Sequence, residues 1–196
     1  MKHRTIPDDG IETMVRSHDA LISPAEYAGL PHHPLILVLD NLRSAFNVGS
    51  IFRTADASRI EKLILCGYTP RPPNPKLQKT SMGTLDFVKW EHVQSTREAV
   101  VQLQKSGVSV FALETTNTSQ SLFAASLPRP SALVLGNEAL GVSEDVLRCV
   151  DGIYEIPLFG FKNSLNVASA AAISVFEALR QWNLGMKSTE VFRQGK

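Results

Sequence analysis

Three stretches of this sequence bring charged groups, amides and a hydroxyl close together, the side chains from which a polar active site is built. In the first, Asn47 and Arg53 stand six residues apart. On a helix that is about 600° of rotation, so the two side chains lie about 120° apart and can flank one site without stacking. In the second, Gly136, Asn137 and Glu138 follow an apolar run and precede Gly141 and Ser143, which reads as a strand, a tight glycine turn and a serine-capped helix. In the third, Pro157 and Gly160 precede Ser164, Leu165 and Asn166, with Ser164 placed as an N-cap and Asn166 in the first helical turn. Spacing alone also allows a local use for each: Arg53 as a surface charge or partner of Asp56, Glu138 as a capping carboxylate, Ser164 as a cap and nothing more.

Better-known constellations fail. Gly136 to Gly141 has the glycine spacing of a phosphate-binding loop after a strand, but Val142 stands where the phosphate-neutralising lysine belongs. No G-x-G-x-x-G follows a strand, and no histidine or nucleophile elbow suggests a triad. His3, His18, His32 and His33 match no metal-ligand spacing, so exposed or locally hydrogen-bonded roles are expected and no metal is. Cys66 and Cys149 read as reduced structural thiols.

The elements that must position these groups follow from the apolar pattern. With 196 residues, 43% apolar and 20% charged, the chain supports one core, read as a domain over 34–196 behind an N-terminal extension over 1–33. Short branched runs at 35–39, 62–66, 108–113, 132–135 and 153–156 predict buried strands. Helices are expected at 48–58, at 96–105 with Ser95 and Glu98 as a capping box, at 143–150, and at 165–182. The last carries Ala168, Ala171, Ala172, Val175, Phe176 and Leu179 as a packed face. Alternation of strand and helix predicts an α/β fold, a mainly parallel sheet flanked by helices, with ligands beyond the carboxyl ends of the strands. A net charge of +1 gives no overall field towards nucleic acid, so any such binding must come from a local patch. Residues 68–79 offer one, with three cations among four prolines that are expected to forbid regular helix. No apolar run predicts a membrane span or a signal peptide, and a soluble, cytoplasmic protein is expected.

Across residues 41–57, 135–143 and 156–170 the sequence resembles the SpoU-type ribose 2'-O-methyltransferases of the SPOUT superfamily. The likeness runs over about 35–180, with all three motifs in order. It implies a SPOUT-type fold with a deep C-terminal trefoil knot, a homodimer with the site near its interface, and S-adenosyl-L-methionine as cofactor. By resemblance Arg53, Asn47, Glu138, Ser164 and Asn166 are the catalytic set. Leu113, Gly136, Ile156, Leu158, Ser164 and Leu165 hold the cofactor, with backbone reading the adenine edge and Ile156, Leu158 and Leu165 as apolar walls. Glycine at 136 is expected to let the backbone approach the cofactor. The implied reaction is methyl transfer to a ribose 2'-hydroxyl of tRNA or rRNA, with Arg53 as base or as electrostatic clamp on the developing alkoxide. Two rivals share the fold: an inactive RNA- or cofactor-binding protein, and an enzyme methylating a base nitrogen.

Overall fold

Residues 5–14 lack a strong hydrophobic period, yet β1 (Thr5–Asp8) and β2 (Ile11–Met14) pair antiparallel, with Thr5 opposite Met14 and Asp8 opposite Ile11. A short helix α1 (Pro24–Ala28) follows. Its start is specified locally: Ser23 accepts from the Glu26 N–H, Glu26 accepts from the Ser23 N–H, and Pro24 occupies the first turn. The computed structural model describes residues 5–8, 11–14, 19–20 and 22–184. The described residues fall into two compact units, those up to residue 30 and those over 31–184. His3 and His18 lie outside the described residues.

The larger unit runs β3 (His33–Asp40), α2 (Ala45–Ser58), β4 (Ile60–Cys66), α3 (Pro75–Ser81), β5 (Trp90–Val93), α4 (Thr96–Lys105), β6 (Ser109–Leu113), β7 (Gln120–Ser121), β8 (Ser131–Leu135), α5 (Glu144–Leu147), β9 (Gly152–Glu155) and α6 (Val167–Gln181). Its strands form one sheet in the order β5-β4-β3-β8-β6-β9-β7, and every pairing is parallel. The strand period of two divides the core. Leu35, Leu37 and Leu39 of β3 and Leu133 and Leu135 of β8 join one cluster with α2, α3 and α6. Ile36, Val38, Ala132 and Val134 join the other, with α4 and α5. The result is three layers, helix, sheet, helix.

Several local expectations are corrected. Residues 68–79 are not helix-free: α3 begins at Pro75, where a missing N–H costs nothing, and Asn74 caps it by accepting from the Lys76 and Leu77 N–H groups. Asn166 caps α6, accepting from the Ala168 and Ser169 N–H groups, so Ser164 lies two residues outside the helix and Asn166 is not in its first turn. Phe176 is 53% exposed, while Ala171, Val175, Ala178 and Leu179 form the buried face. Ser95 accepts from the Glu98 N–H, one half of the expected capping box. The edge strands β5 and β7 were not anticipated, because short, partly polar runs carry little periodic signal.

Candidate active site

Leu113 ends β6, Leu135 ends β8 and Glu155 ends β9, and these neighbouring strands open onto a cavity of about 810 Å³. All six residues expected to hold a cofactor, Leu113, Gly136, Ile156, Leu158, Ser164 and Leu165, line it. So do Glu138 and Asn166. Among the described residues its wall contains three carboxylates, Glu114, Glu138 and Glu155, and no lysine or arginine. Such a wall disfavours a phosphorylated ligand and suits a cation with an apolar body.

At the rim, three distant segments meet in one chain of hydrogen bonds. The Asn166 Oδ1 is committed to the start of α6, so its Nδ2 faces outward and donates to Asn47 Oδ1 at 3.1 Å. That fixes the Asn47 amide in turn, and its Nδ2 donates to Glu138 Oε1 at 2.9 Å. Glu138 also accepts from the Arg43 N–H at 2.9 Å and the Ser44 N–H at 3.1 Å. Partial burial pushes the Glu138 carboxyl up, but the bonds from Arg43, Asn47, its own backbone and Ser44 outweigh this and hold it below the usual carboxylate range. A carboxylate that only accepts therefore ends a chain whose every donor direction is determined.

Other residues brace these loops in roles that the sequence alone does not show. Asp40, the last residue of β3, is buried and accepts from Asn41 Nδ2, Thr96 Oγ1, and both the N–H and the hydroxyl of Ser143. The Ser143 hydroxyl is thus turned to Asp40 and does not cap α5. Asn137 accepts from the Ala139 and Leu140 N–H groups and donates to the Asn41 carbonyl and the Tyr68 hydroxyl. Glu114 accepts from the Val142 and Thr115 N–H groups. The one signal for them is position: each is a polar residue at or just past the end of an apolar strand. The loop itself gives Gly136 a reason to be glycine. A Cβ there would lie 2.2 Å from the Gly141 carbonyl carbon and the Val142 nitrogen, so its own loop closes against it.

Arg53 stands apart. It is exposed on α2, about 9 Å along the helix axis from Asn47, lines no part of the cavity, and has no carboxylate at ion-pair distance among the described residues. Ser164 is exposed at the cavity edge.

The SpoU rRNA methylase family model matches residues 34–176, a span that includes the cavity lining and the whole amide chain. The chain belongs to this family. Among its SpoU relatives, a tRNA (guanosine(18)-2'-O)-methyltransferase of Thermus thermophilus is 33% identical over 75% of each chain. A 23S rRNA (guanosine-2'-O-)-methyltransferase of Vibrio parahaemolyticus is 31% identical over 76% of this chain, which spans only 60% of that relative's length. The A. aeolicus TrmH/SpoU tRNA modifying enzyme superposes with a TM-score of 0.73 at 25% identity, covering 87% of this chain and 89% of its own. The SpoU methyltransferase AviRb from Streptomyces viridochromogenes, solved in complex with the cofactor AdoMet, superposes at 0.70 and 27% identity, over 88% and 65% of the two chains.

The residues of this SpoU chain fit such a cofactor by their chemistry. Ile156, Leu158 and Leu165 supply apolar surface, exposed backbone at strand ends supplies donors and acceptors, and the acidic wall complements a sulfonium and an ammonium. Among the described residues no cluster of three or more His, Cys, Asp or Glu side chains is arranged to hold a metal, and no helix is long and apolar enough to cross a membrane.

Proposed function

We propose that this chain is an RNA (ribose-2'-O-)-methyltransferase that uses S-adenosyl-L-methionine. The observation that carries this reading is the hydrogen-bonded chain Asn166, Asn47, Glu138 at the rim of the acid-walled cavity. It gathers all three segments of the resemblance at one point. When bound, the cofactor supplies an electrophilic methyl group on a positively charged sulfur.

The protein's own part is positioning and electrostatics. Leu113, Gly136, Ile156, Leu158, Ser164 and Leu165 hold the cofactor, and Asn47 and Asn166 orient the ribose at the rim, where alignment alone lowers a barrier substantially. Glu138, kept ionised, anchors Asn47 and the backbone before α2. Arg53 serves as base or as a clamp on the developing alkoxide. A guanidinium is a fivefold N–H donor with no acceptor, which favours the clamp. The substrate class is tRNA or rRNA, as the relatives' names suggest, and the protein works in the cytoplasm.

The remaining family traits belong to the same proposal: a domain over 34–196 with a C-terminal trefoil knot, assembled as a homodimer. Exposed Ile173 and Phe176 on α6 favour that helix as the dimer contact, since apolar side chains at 37% and 53% exposure gain from a second copy. Incubation with cofactor carrying a labelled methyl group and total RNA, followed by nuclease digestion and mass analysis, tests the reaction. A 2'-O-methylated nucleoside is expected. A base-methylated nucleoside, or no transfer despite cofactor binding, defeats the proposal in favour of one of the two rivals.

A further inference from the structure

The packing of α3 on α2 concentrates positive charge beside the site. Residues 41–55 and 68–83 hold Arg43, Arg53, Arg71, Lys76 and Lys79 and contain no aspartate or glutamate. With five cations gathered here and a net charge of only +1 overall, the remainder of the chain is net negative. All five are exposed. The ion pairs among the described residues lie elsewhere, at Lys62–Glu91, Arg148–Glu144 and Arg180–Glu177. Asp56 lies about one turn beyond Arg53 on α2, and Glu138 is committed to the Arg43 and Ser44 N–H groups and the Asn47 amide.

The two segments are joined rigidly. The helices touch so closely at Gly49 that a Cβ there would lie 2.6 Å from Thr80 Cβ. Gly49 and Arg53 share a face of α2, being one turn apart, so Lys79 and Arg53 flank the same contact. The segment leading to α3 is pinned to the active-site loops. The Leu42 N–H donates to Thr69 Oγ1, the Thr69 hydroxyl to the Leu39 carbonyl, the Tyr68 N–H to Asn41 Oδ1, and Asn137 to the Tyr68 hydroxyl. Pro70, Pro72, Pro73 and Pro75 stiffen what lies between. Charges on a pre-ordered scaffold lose little further freedom when they bind.

We infer that this face, through Arg71, Lys76 and Lys79 with Arg43 at its inner edge, grips phosphodiester groups of the RNA strand flanking the nucleotide to be methylated. It rests on the proposed function for the identity of that strand. Exposed cations that neutralise phosphates give sequence-independent affinity that weakens linearly in log salt, and they position the strand without reading its sequence.

The test compares the wild-type protein with R71Q/K76Q/K79Q for binding labelled bulk tRNA by fluorescence anisotropy across a salt series. Loss of three contacts is expected to weaken binding about 10- to 100-fold near 0.1 M salt and to flatten the log–log salt slope by about 2. A control, R97Q/K105Q, removes two cations from α4 on the opposite face of the sheet and is expected to bind as wild type. Cofactor affinity by calorimetry reports that the triple variant is folded. Should it not fold, K79E alone serves, with a slope change of about 1. A triple variant that matches wild type in affinity and slope overturns the inference, as does a wild type that binds no RNA or a control that loses as much as the triple variant. Patch-dependent binding without methyl transfer leaves the inference standing and sinks the proposed reaction. Methyl transfer with an unchanged KM for RNA in the triple variant does the reverse.

Discussion

Asn166 has two jobs that a single substitution can separate. Its Oδ1 caps α6 and its Nδ2 orients Asn47. Asn166→Asp keeps the capping oxygen but presents a carboxylate to the Asn47 carbonyl, so thermal melting is expected within a few degrees of wild type while kcat falls at least about tenfold. Asn166→Ala loses both, with about 1 kcal/mol of stability lost as well. At Glu138 the sign of the pH effect follows from its lowered pKa. The ionised form is favoured in the folded state, so its stabilisation is present above the unfolded carboxyl pKa and is lost as pH falls through the lower folded value. Urea midpoints followed from neutral to acid pH should show that loss in wild type, and Glu138→Gln should remove it. For Arg53→Ala, methyl transfer is expected to vanish while calorimetric cofactor affinity stays within about twofold, because Arg53 lines no part of the cavity. Loss of cofactor binding in that variant would refute the assigned role.

At the scale of elements, two glycines near the cavity differ in a way their sequence contexts do not reveal. A Cβ on Gly136 meets the backbone of Gly141 and Val142 at 2.2 Å, whereas one on Gly160 meets nothing within 4 Å. Gly136→Ala is therefore expected to open the loop and lower cofactor affinity at least about tenfold by calorimetry, and Gly160→Ala to leave it nearly unchanged. Equal effects from the two would show that loop closure does not shape the cavity. The elements themselves were readable where side chains repeat. The strand at Ser131–Leu135 and the helix at Thr96–Lys105 lie within a residue of their expected positions, because branched runs and an amphipathic period are local signals. The start of α6 was misplaced because serine and asparagine cap about equally well, and which of them does so depends on Asn166 also reaching Asn47.

For the whole molecule, the sheet order explains why residues about a hundred positions apart can cooperate. β3 lies between β4 and β8, so the loop after β3 and the loop after β8 emerge side by side. Asp40 and Glu138 fasten them together. Their junction borders the cavity, which opens beyond the ends of β6, β8 and β9, and ligands of open parallel sheets bind beyond such strand ends. The exposed apolar residues of α6 set a test at the same scale. Sedimentation equilibrium is expected to give a dimer for wild type and a shift towards monomer for Phe176→Asp, which places a charge on an apolar contact. A wild-type monomer at micromolar concentration would remove the homodimer from the proposed function.

By itself the sequence determined the strand and helix alternation, the parallel sheet and the three segments that resemble a ribose methyltransferase, because apolar periodicity and short motifs are written locally. Only the tertiary structure decided that Asn166, Asn47 and Glu138 join in one directed chain, that Gly136 serves its own loop, and that Asp40 and Asn137 brace the site. It also decided that α3, whose Lys76 and Lys79 read in sequence as part of a cationic stretch among prolines, packs against α2. The physical reason is the same in each case. Hydrogen-bond direction, close approach of backbone and the sharing of a face by two helices are fixed by neighbours far away in the chain, and no local pattern carries them.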